Sequence, residues 1–247
     1  MDPVCFHIGA RPVYWYGVMV AAGFLACLAH LTALGIREKR GSSYGSDVAF
    51  WIMLFGIIGA RVAYVAANAQ YYLQKPMDVI RVDQGGLIYY GGFIGAFAAG
   101  IVYARIKKIS IPALADFVVS ALPLGHFFGR IGCFLNGCCY GTATGLPWGT
   151  CQHGATRHPV QIYEALLNLG LYLALIAAYR RKKRDGQVLA VYLLAYPPGR
   201  FLLEFLRGDE RLGWHGLDYA QAVSLALFAA GLILAWFVFG ARRQRHS

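Results

Sequence analysis

The sequence predicts an all-α, polytopic membrane protein of seven transmembrane helices, with its N-terminus outside and its C-terminus cytoplasmic. Three observations carry that expectation. Apolar side chains make up 58% of the 247 residues and charged ones 14%, an apolar share above and a charge content well below those of ordinary soluble domains. Seven apolar stretches of about spanning length, near 13–34, 48–67, 87–104, 113–135, 159–179, 187–206 and 217–240, make one transmembrane domain of 1–247 and leave no soluble domain over. Basic residues, finally, cluster at 37–40, 105–108, 180–184 and 242–245, whereas the alternate connections hold scattered ones such as Arg11, Lys75, Arg81, Arg157 and Arg211. The positive-inside rule puts the clustered side in the cytoplasm. The net charge of +11 then belongs to anchors on an anionic leaflet, and no nucleic-acid partner is expected.

The first stretch is too long for a signal-peptide core, lacks a basic leader and has no convincing small-residue cleavage site, so a retained helix is expected. It enters from outside at Tyr14, Trp15, Tyr16 and Gly17, residues suited to the interfacial belt. The second runs outward and holds Arg61 beside Gly59. An arginine near the bilayer centre costs about 3 kcal/mol on insertion scales, so Arg61 should face the bundle and meet a partner, structural or substrate. A polar connection, 68–84, leads to GGLIYYGGFIGAFAAG at 85–100, whose small residues suit close helix contact. Tyr90 sits at its outer end and can present a phenol to a site.

The fourth stretch holds Asp116 near its inner end and His126 four residues before Arg130, so His126 and Arg130 share a helical face. His126 is either a packing residue or a base beside an arginine. The stretch runs into GRIGCFLNGCCYG, 129–141, which sets an arginine, an asparagine and three cysteines among four glycines. Glycines let backbone or ligand approach closely. Arg130, leaving the bilayer there, either snorkels or holds something.

An outer loop follows, and RHPVQIYEA at 157–165 opens the fifth helix, with Pro159 suited to its start. Gln161 and Glu164 fall at its outer end, and Glu164 in an apolar helix needs a partner. In YPPGRFLLEFLR, 196–207, Pro197 and Pro198 remove two amide donors and should kink or unwind the sixth helix. Tyr196, Arg200, Glu204 and Arg207 recur there at i, i+4, i+8 and i+11, one face of a helix. Arg200 with Glu204 is either an ion pair joining helices or part of a site.

Depth links these residues. Tyr16, Arg61, Tyr90, Arg130, Gln161, Glu164, Arg200 and Glu204 come from six predicted spans, and alternating topology puts each in the outer half of the bilayer. Unrelated structural accidents would scatter across both leaflets. Arginines gathered with glycine-lined clearance at headgroup level describe a phosphate site, because a guanidinium fork matches phosphate oxygens. A phosphate at that depth belongs to a phospholipid.

Along nearly its whole length the chain resembles the bacterial prolipoprotein diacylglyceryl transferases. The likeness lies in WYG at 15–17, GGLIYYGG, GRIGCFLNG, RHPVQIYEA and the stripe of Tyr196, Arg200, Glu204 and Arg207. The resemblance implies an enzyme of the bacterial cytoplasmic membrane with its site toward the extracytoplasmic leaflet. Such an enzyme moves the diacylglyceryl group of phosphatidylglycerol onto the lipobox cysteine of a preprolipoprotein and releases glycerol phosphate. It implies further that Arg130 binds the headgroup and that Arg200 is the second essential arginine, with Tyr16, Asn136, Glu164, Tyr196, Glu204 and Arg207 on family positions. The chain departs from the better-known motif at Cys133 and Cys138, which replace an asparagine and a glutamate, and at Tyr90, which replaces a histidine.

For this chemistry the candidate proton acceptors are Tyr90, His126 and Glu204, and no metal or organic cofactor is required. Two other readings stay open. Cys133, Cys138, Cys139 and Cys151, with His153 and His158 nearby, suit a structural disulfide or free thiols, or else a soft metal or redox couple, though their spacing matches no common metal pattern. A transporter or non-catalytic lipid-binding protein would need polar side chains through both leaflets, and Asp116 alone supplies the inner half.

Overall fold

The computed structural model describes residues 3–81, 85–209, 213–214 and 217–240, so the expectations at Arg211, Arg242, Arg243 and Arg245 lie outside the described residues. A hairpin of β1 (Val4–Ile8) and β2 (Arg11–Tyr14) precedes α1 (Trp15–Arg37) and α2 (Tyr44–Ala67). A short α3 (Ala69–Gln74) and a 3₁₀ turn at Pro76–Ile80 lead to α4 (Tyr89–Ile106), α5 (Ile111–Val119) and α6 (Leu122–Leu135). The hairpin of β3 (Thr150–Gln152) and β4 (Ala155–Arg157) is followed by α7 (Val160–Arg181) and α8 (Gln187–Glu204). A last hairpin, β5 (Gly213–Trp214) and β6 (Leu217–Asp218), precedes α9 (Tyr219–Gly240).

Among the described residues, five helical segments are long and apolar enough to cross a membrane: α1, α2, α5 with α6, α7 and α9. The other two predicted stretches form α4 and α8, each 18 residues long. The chain is thus a largely helical, multi-pass membrane protein, with three corrections to the sequence reading. First, small antiparallel hairpins occupy some connections, so the fold is not wholly α. In the β3–β4 turn His153 (φ 51) and Gly154 (φ 74) take the left-handed conformations that a tight hairpin favours. Second, the fourth stretch is two helices, interrupted at Ser120 and Ala121, where Pro123 suits the first turn of a new helix and lacks an amide to continue the old one. Third, of the two outcomes expected at Pro197 and Pro198, a kink or unwinding, the unwinding does not occur: α8 stays helical through both.

Residue contacts group 1–29 with 115–247 as one compact unit and 30–114 as another. In the smaller unit α2 lies along α4 at backbone contact: a Cβ added to Gly59 would overlap the Gly91 carbonyl, and one at Gly95 the carbonyl of Phe55. Phe93, Ile94 and Phe97 of α4 face outward, an apolar surface suited to lipid. In the larger unit α6 packs on α7, α7 on α8 and α8 on α9. Gly199 of α8 receives the Leu167 side chain, since a Cβ there would stand 2.5 Å from its Cδ2.

The start of α8 is set by a residue from another helix. Asp116 of α5, wholly buried, accepts the Gly186 amide at 2.9 Å and the Leu189 amide at 2.9 Å, with Lys182 Nζ 3.5 Å away. A carboxylate there satisfies orphan amides and complements the positive end of the helix. Asp116→Ala should lower stability by about 2 kcal/mol, the upper range for a lost cap, with Asp116→Asn intermediate. Thermal unfolding in detergent measures this, and an unchanged midpoint for the alanine variant would remove the cap from the account.

Candidate active site

Several buried or partly buried charges of the larger unit meet at Glu164, in the first two turns of α7 and 1% exposed. Its Oε1 stands 3.1 Å from Arg130 Nη2 of α6 and 3.7 Å from Arg200 Nε of α8, and accepts the Tyr196 hydroxyl at 3.4 Å. Arg200 Nη1 also pairs with Glu204 one turn on, whose side chain is fully buried. On the α7 backbone, Asn168 Nδ2 donates to the Glu164 carbonyl at 2.8 Å. Two guanidiniums from different helices therefore converge on one carboxylate oxygen, and Tyr196 caps the group.

The two arginines differ in access. Arg200, with two carboxylates on it, keeps 11% of its side chain exposed, while Arg130, on one, keeps 22%. A guanidinium has five N–H donors, and the Glu164 contact engages the Nη2 of Arg130, so its remaining fork can take another planar acceptor. Arg207 leaves the predicted stripe, because α8 ends at Glu204. It makes a two-point pair with Asp209, Nε to Oδ1 at 3.1 Å and Nη2 to Oδ2 at 2.7 Å, and its backbone bridges to Gly141.

A cysteine-bearing loop borders Arg130. After α6 the chain turns at Gly137 (φ 72) and again at Cys139 (φ 61), a left-handed conformation that a non-glycine residue adopts rarely. The loop is tied from several sides. Gln161, 1% exposed on α7, donates from Nε2 to the Cys138 carbonyl at 2.8 Å and to Gln152 Oε1 at 3.0 Å. His153 Nε2 reaches the Gly137 carbonyl at 2.7 Å, and the Gly208 amide donates to the Tyr140 carbonyl at 3.0 Å. The sulfurs of Cys133, Cys138 and Cys139 all lie within 4.8 Å of one another, unbridged. A hydrogen bond from Cys133 pulls the Cys139 thiol down to about 5 against the opposing effect of burial, helped by the charges of Arg207 and Arg130. Burial raises the Cys138 thiol, and the Cys139 charge raises it further. Cys151 is exposed and is not one of the three clustered sulfurs.

The remaining sequence candidates fall as follows. His126 packs its ring 5.7 Å from that of Tyr196, and its buried Nδ1 has no hydrogen-bond partner among the described residues. Tyr16 lies at the start of α1 against Gly132, where an added Cβ would stand 3.3 Å from its Cδ2. Asn136 caps the C-terminus of α6, its amide donating to the Gly132 carbonyl at 2.9 Å. Arg61 and Tyr90 belong to the smaller unit. Arg61 is buried and donates to four backbone carbonyls, Asp78 at 2.6 Å, Val79 and Gly85 at 2.8 Å and Gly86 at 3.0 Å, which makes it a strut for the segment after α2. Tyr90 is 65% exposed beside Tyr89 at the first turn of α4. Sequence reasoning missed Asn168 and Asp209 in the site's support. Asn168 had a signal, a buried-type position four residues after Glu164 on one helical face.

Comparison with known proteins shows the family. The family described as prolipoprotein diacylglyceryl transferase matches residues 3–237. A phosphatidylglycerol–prolipoprotein diacylglyceryl transferase of Clostridioides difficile is 35% identical over 94% of this chain and 94% of its own. Proteins of the same name from Geobacter sulfurreducens and Idiomarina loihiensis are 37% and 36% identical, over 96% and 95% of this chain and 95% and 92% of their own.

Glu164→Ala strands two guanidiniums in a low-dielectric setting, and losing one member of a buried pair costs about 3–5 kcal/mol. Glu164→Gln keeps an acceptor and should lose less. The order wild type, Gln, Ala in thermal midpoint in detergent is expected, and an alanine variant as stable as wild type would show that Glu164 does not hold the helices together.

Proposed function

Because this chain belongs to the prolipoprotein diacylglyceryl transferase family, we propose that it moves the diacylglyceryl group of phosphatidylglycerol onto the thiol of the lipobox cysteine of preprolipoproteins, releasing glycerol phosphate. The observation behind this reading is the convergence of Arg130 and Arg200, from separate helices, on Glu164 Oε1. In the working protein α4 and α8 also cross the membrane, making seven spans of one transferase domain. The basic clusters at 37–40, 105–108 and 180–184 support an N-terminus outside and a C-terminus in the cytoplasm. The site then opens toward the extracytoplasmic leaflet of the bacterial cytoplasmic membrane, where phosphatidylglycerol and the signal peptide of the acceptor meet.

Attack at an sp³ carbon of the glycerol backbone builds no oxyanion on a carbonyl. Negative charge grows instead on the departing phosphate, and guanidiniums already fixed there stabilise it without reorganising. Arg130, the more open arginine, takes the headgroup phosphate on its free fork. Arg200 adds its charge as the carbon–oxygen bond breaks, while Glu164 keeps both aimed. The acceptor's sulfur forms the new carbon–sulfur bond and its proton must leave. We take His126, whose buried Nδ1 has no hydrogen-bond partner among the described residues and whose ring lies beside Tyr196, as the proton acceptor ahead of Tyr90 and Glu204. Tyr16, Asn136, Gln161, Tyr196, Glu204 and Arg207 shape the substrate pocket in this reading.

Membranes containing the protein should transfer labelled diacylglyceryl from phosphatidylglycerol to a lipobox peptide. Arg130→Ala and Arg200→Ala should each cut the rate by about 10²-fold or more with the folded protein retained. Lysine at either position should restore little, since a point charge lacks the two-pronged fork. Full activity in both alanine variants would end the proposal.

A further inference from the structure

The mechanism above leaves three thiols unused beside Arg130. Cys133 is on the last turn of α6, and Cys138 and Cys139 are consecutive in the loop that folds back on it. Their sulfurs meet within 4.8 Å, with all three residues partly accessible. Consecutive residues ordinarily point apart. Here the left-handed Cys139 backbone brings the second sulfur round to the first, and such an unfavoured conformation persists only where the surroundings impose it. The Gln161 and His153 hydrogen bonds to the carbonyls of Cys138 and Gly137 do so.

Three sulfurs at this spacing match the needs of a soft d¹⁰ cation. Thiolates about 2.3 Å from a tetrahedral ion sit about 3.8 Å from one another, a small contraction from the observed cluster. A divalent ion with three thiolates carries one net negative charge, which Arg130 and Arg207, the arginines whose charges act on Cys139, are placed to offset. A disulfide would use two of the sulfurs and leave one over. Three protein ligands leave a fourth position open, the arrangement of catalytic zinc sites.

We propose that Cys133, Cys138 and Cys139 bind a zinc-class ion whose open position receives the acceptor's cysteine thiol; the second half of this rests on the function proposed above. On coordination the acceptor thiol gives up its proton to His126, the proton acceptor proposed above, while the three site thiols lose theirs to water when the ion enters. The acceptor sulfur then supplies the electron pair of the new carbon–sulfur bond, the carbon–oxygen bond to phosphate breaks with its electrons going to oxygen, and the ion keeps its oxidation state. The site would thus sit at Cys133 and Cys138, the two positions where the chain departs from the better-known motif.

Cadmium is the probe, added to the detergent-purified full chain under reducing conditions and read by its thiolate-to-metal ultraviolet band. One equivalent per chain is expected, with the band lost or weakened by Cys133→Ser, Cys138→Ser and Cys139→Ser and unchanged by Cys151→Ser. A lipobox peptide should raise the band of the wild-type complex by roughly a third, from three thiolates to four, while the same peptide with serine for cysteine should not. The peptide measurement needs no variant to fold. No stoichiometric band, a band indifferent to the three serine variants, or no increment with the thiol peptide would each overturn the inference. Diacylglyceryl transfer at full rate by protein with no band overturns it while the proposed function stands. A band with its increment, in a protein that transfers nothing, sinks the function and leaves the ion site.

Discussion

One oxygen atom, Oε1 of Glu164, is shared by two guanidiniums and a phenol from α6 and α8. Moving a carboxylate out of water costs several kcal/mol, and only close, well-oriented partners return that energy. Helices α6, α7 and α8 therefore meet in the one register that keeps Arg130, Arg200 and Tyr196 on it. Apolar packing sets no such register, since lipid tails are as good a neighbour for leucine as another leucine is. The polar node makes the helix arrangement specific, and the same node keeps two cations oriented.

Orientation and access are separate matters in this site. Glu204 takes a second contact on Arg200, and Arg130 stays the more open of the two. Around Arg130 the backbone is tied rather than packed: the Gly137–Cys139 turn is held through its carbonyls by Gln161 and His153, and the segment after α8 is stitched to the same loop. Holding a loop by its carbonyls leaves its side chains available, which is what keeps three sulfurs together and partly exposed.

Intramembrane charge is not by itself a sign of function. Arg61 and Asp116 are as buried as the site residues, yet one spends its donors on four carbonyls and the other caps a helix. Both take most of their partners from backbone, Asp116 adding only Lys182 at 3.5 Å. The site residues differ because their partners are side chains, Glu164 meeting Arg130 and Arg200 across helices and Glu204 meeting Arg200 along α8, so their contacts can rearrange without unravelling secondary structure.

Sequence alone determined the membrane class and the family, and singled out Arg130, Arg200 and Glu164 as candidates, because apolar runs of spanning length and charged residues within them are local and costly features. It also showed that Glu164 needed a partner without saying which. The break before Pro123 was legible in the proline and overlooked, whereas the unbroken α8 was not legible, because neighbouring helices can support a segment that two prolines weaken. Only the tertiary structure decided that Arg130 and Arg200 share one oxygen, that Arg207 turns to Asp209 and that Arg61 serves backbone carbonyls. Spacing along a chain ranks which residues share a helical face. Which atoms meet across helices depends on distances of a few ångströms set by packing, and for a buried charge those distances are nearly the whole of its energy.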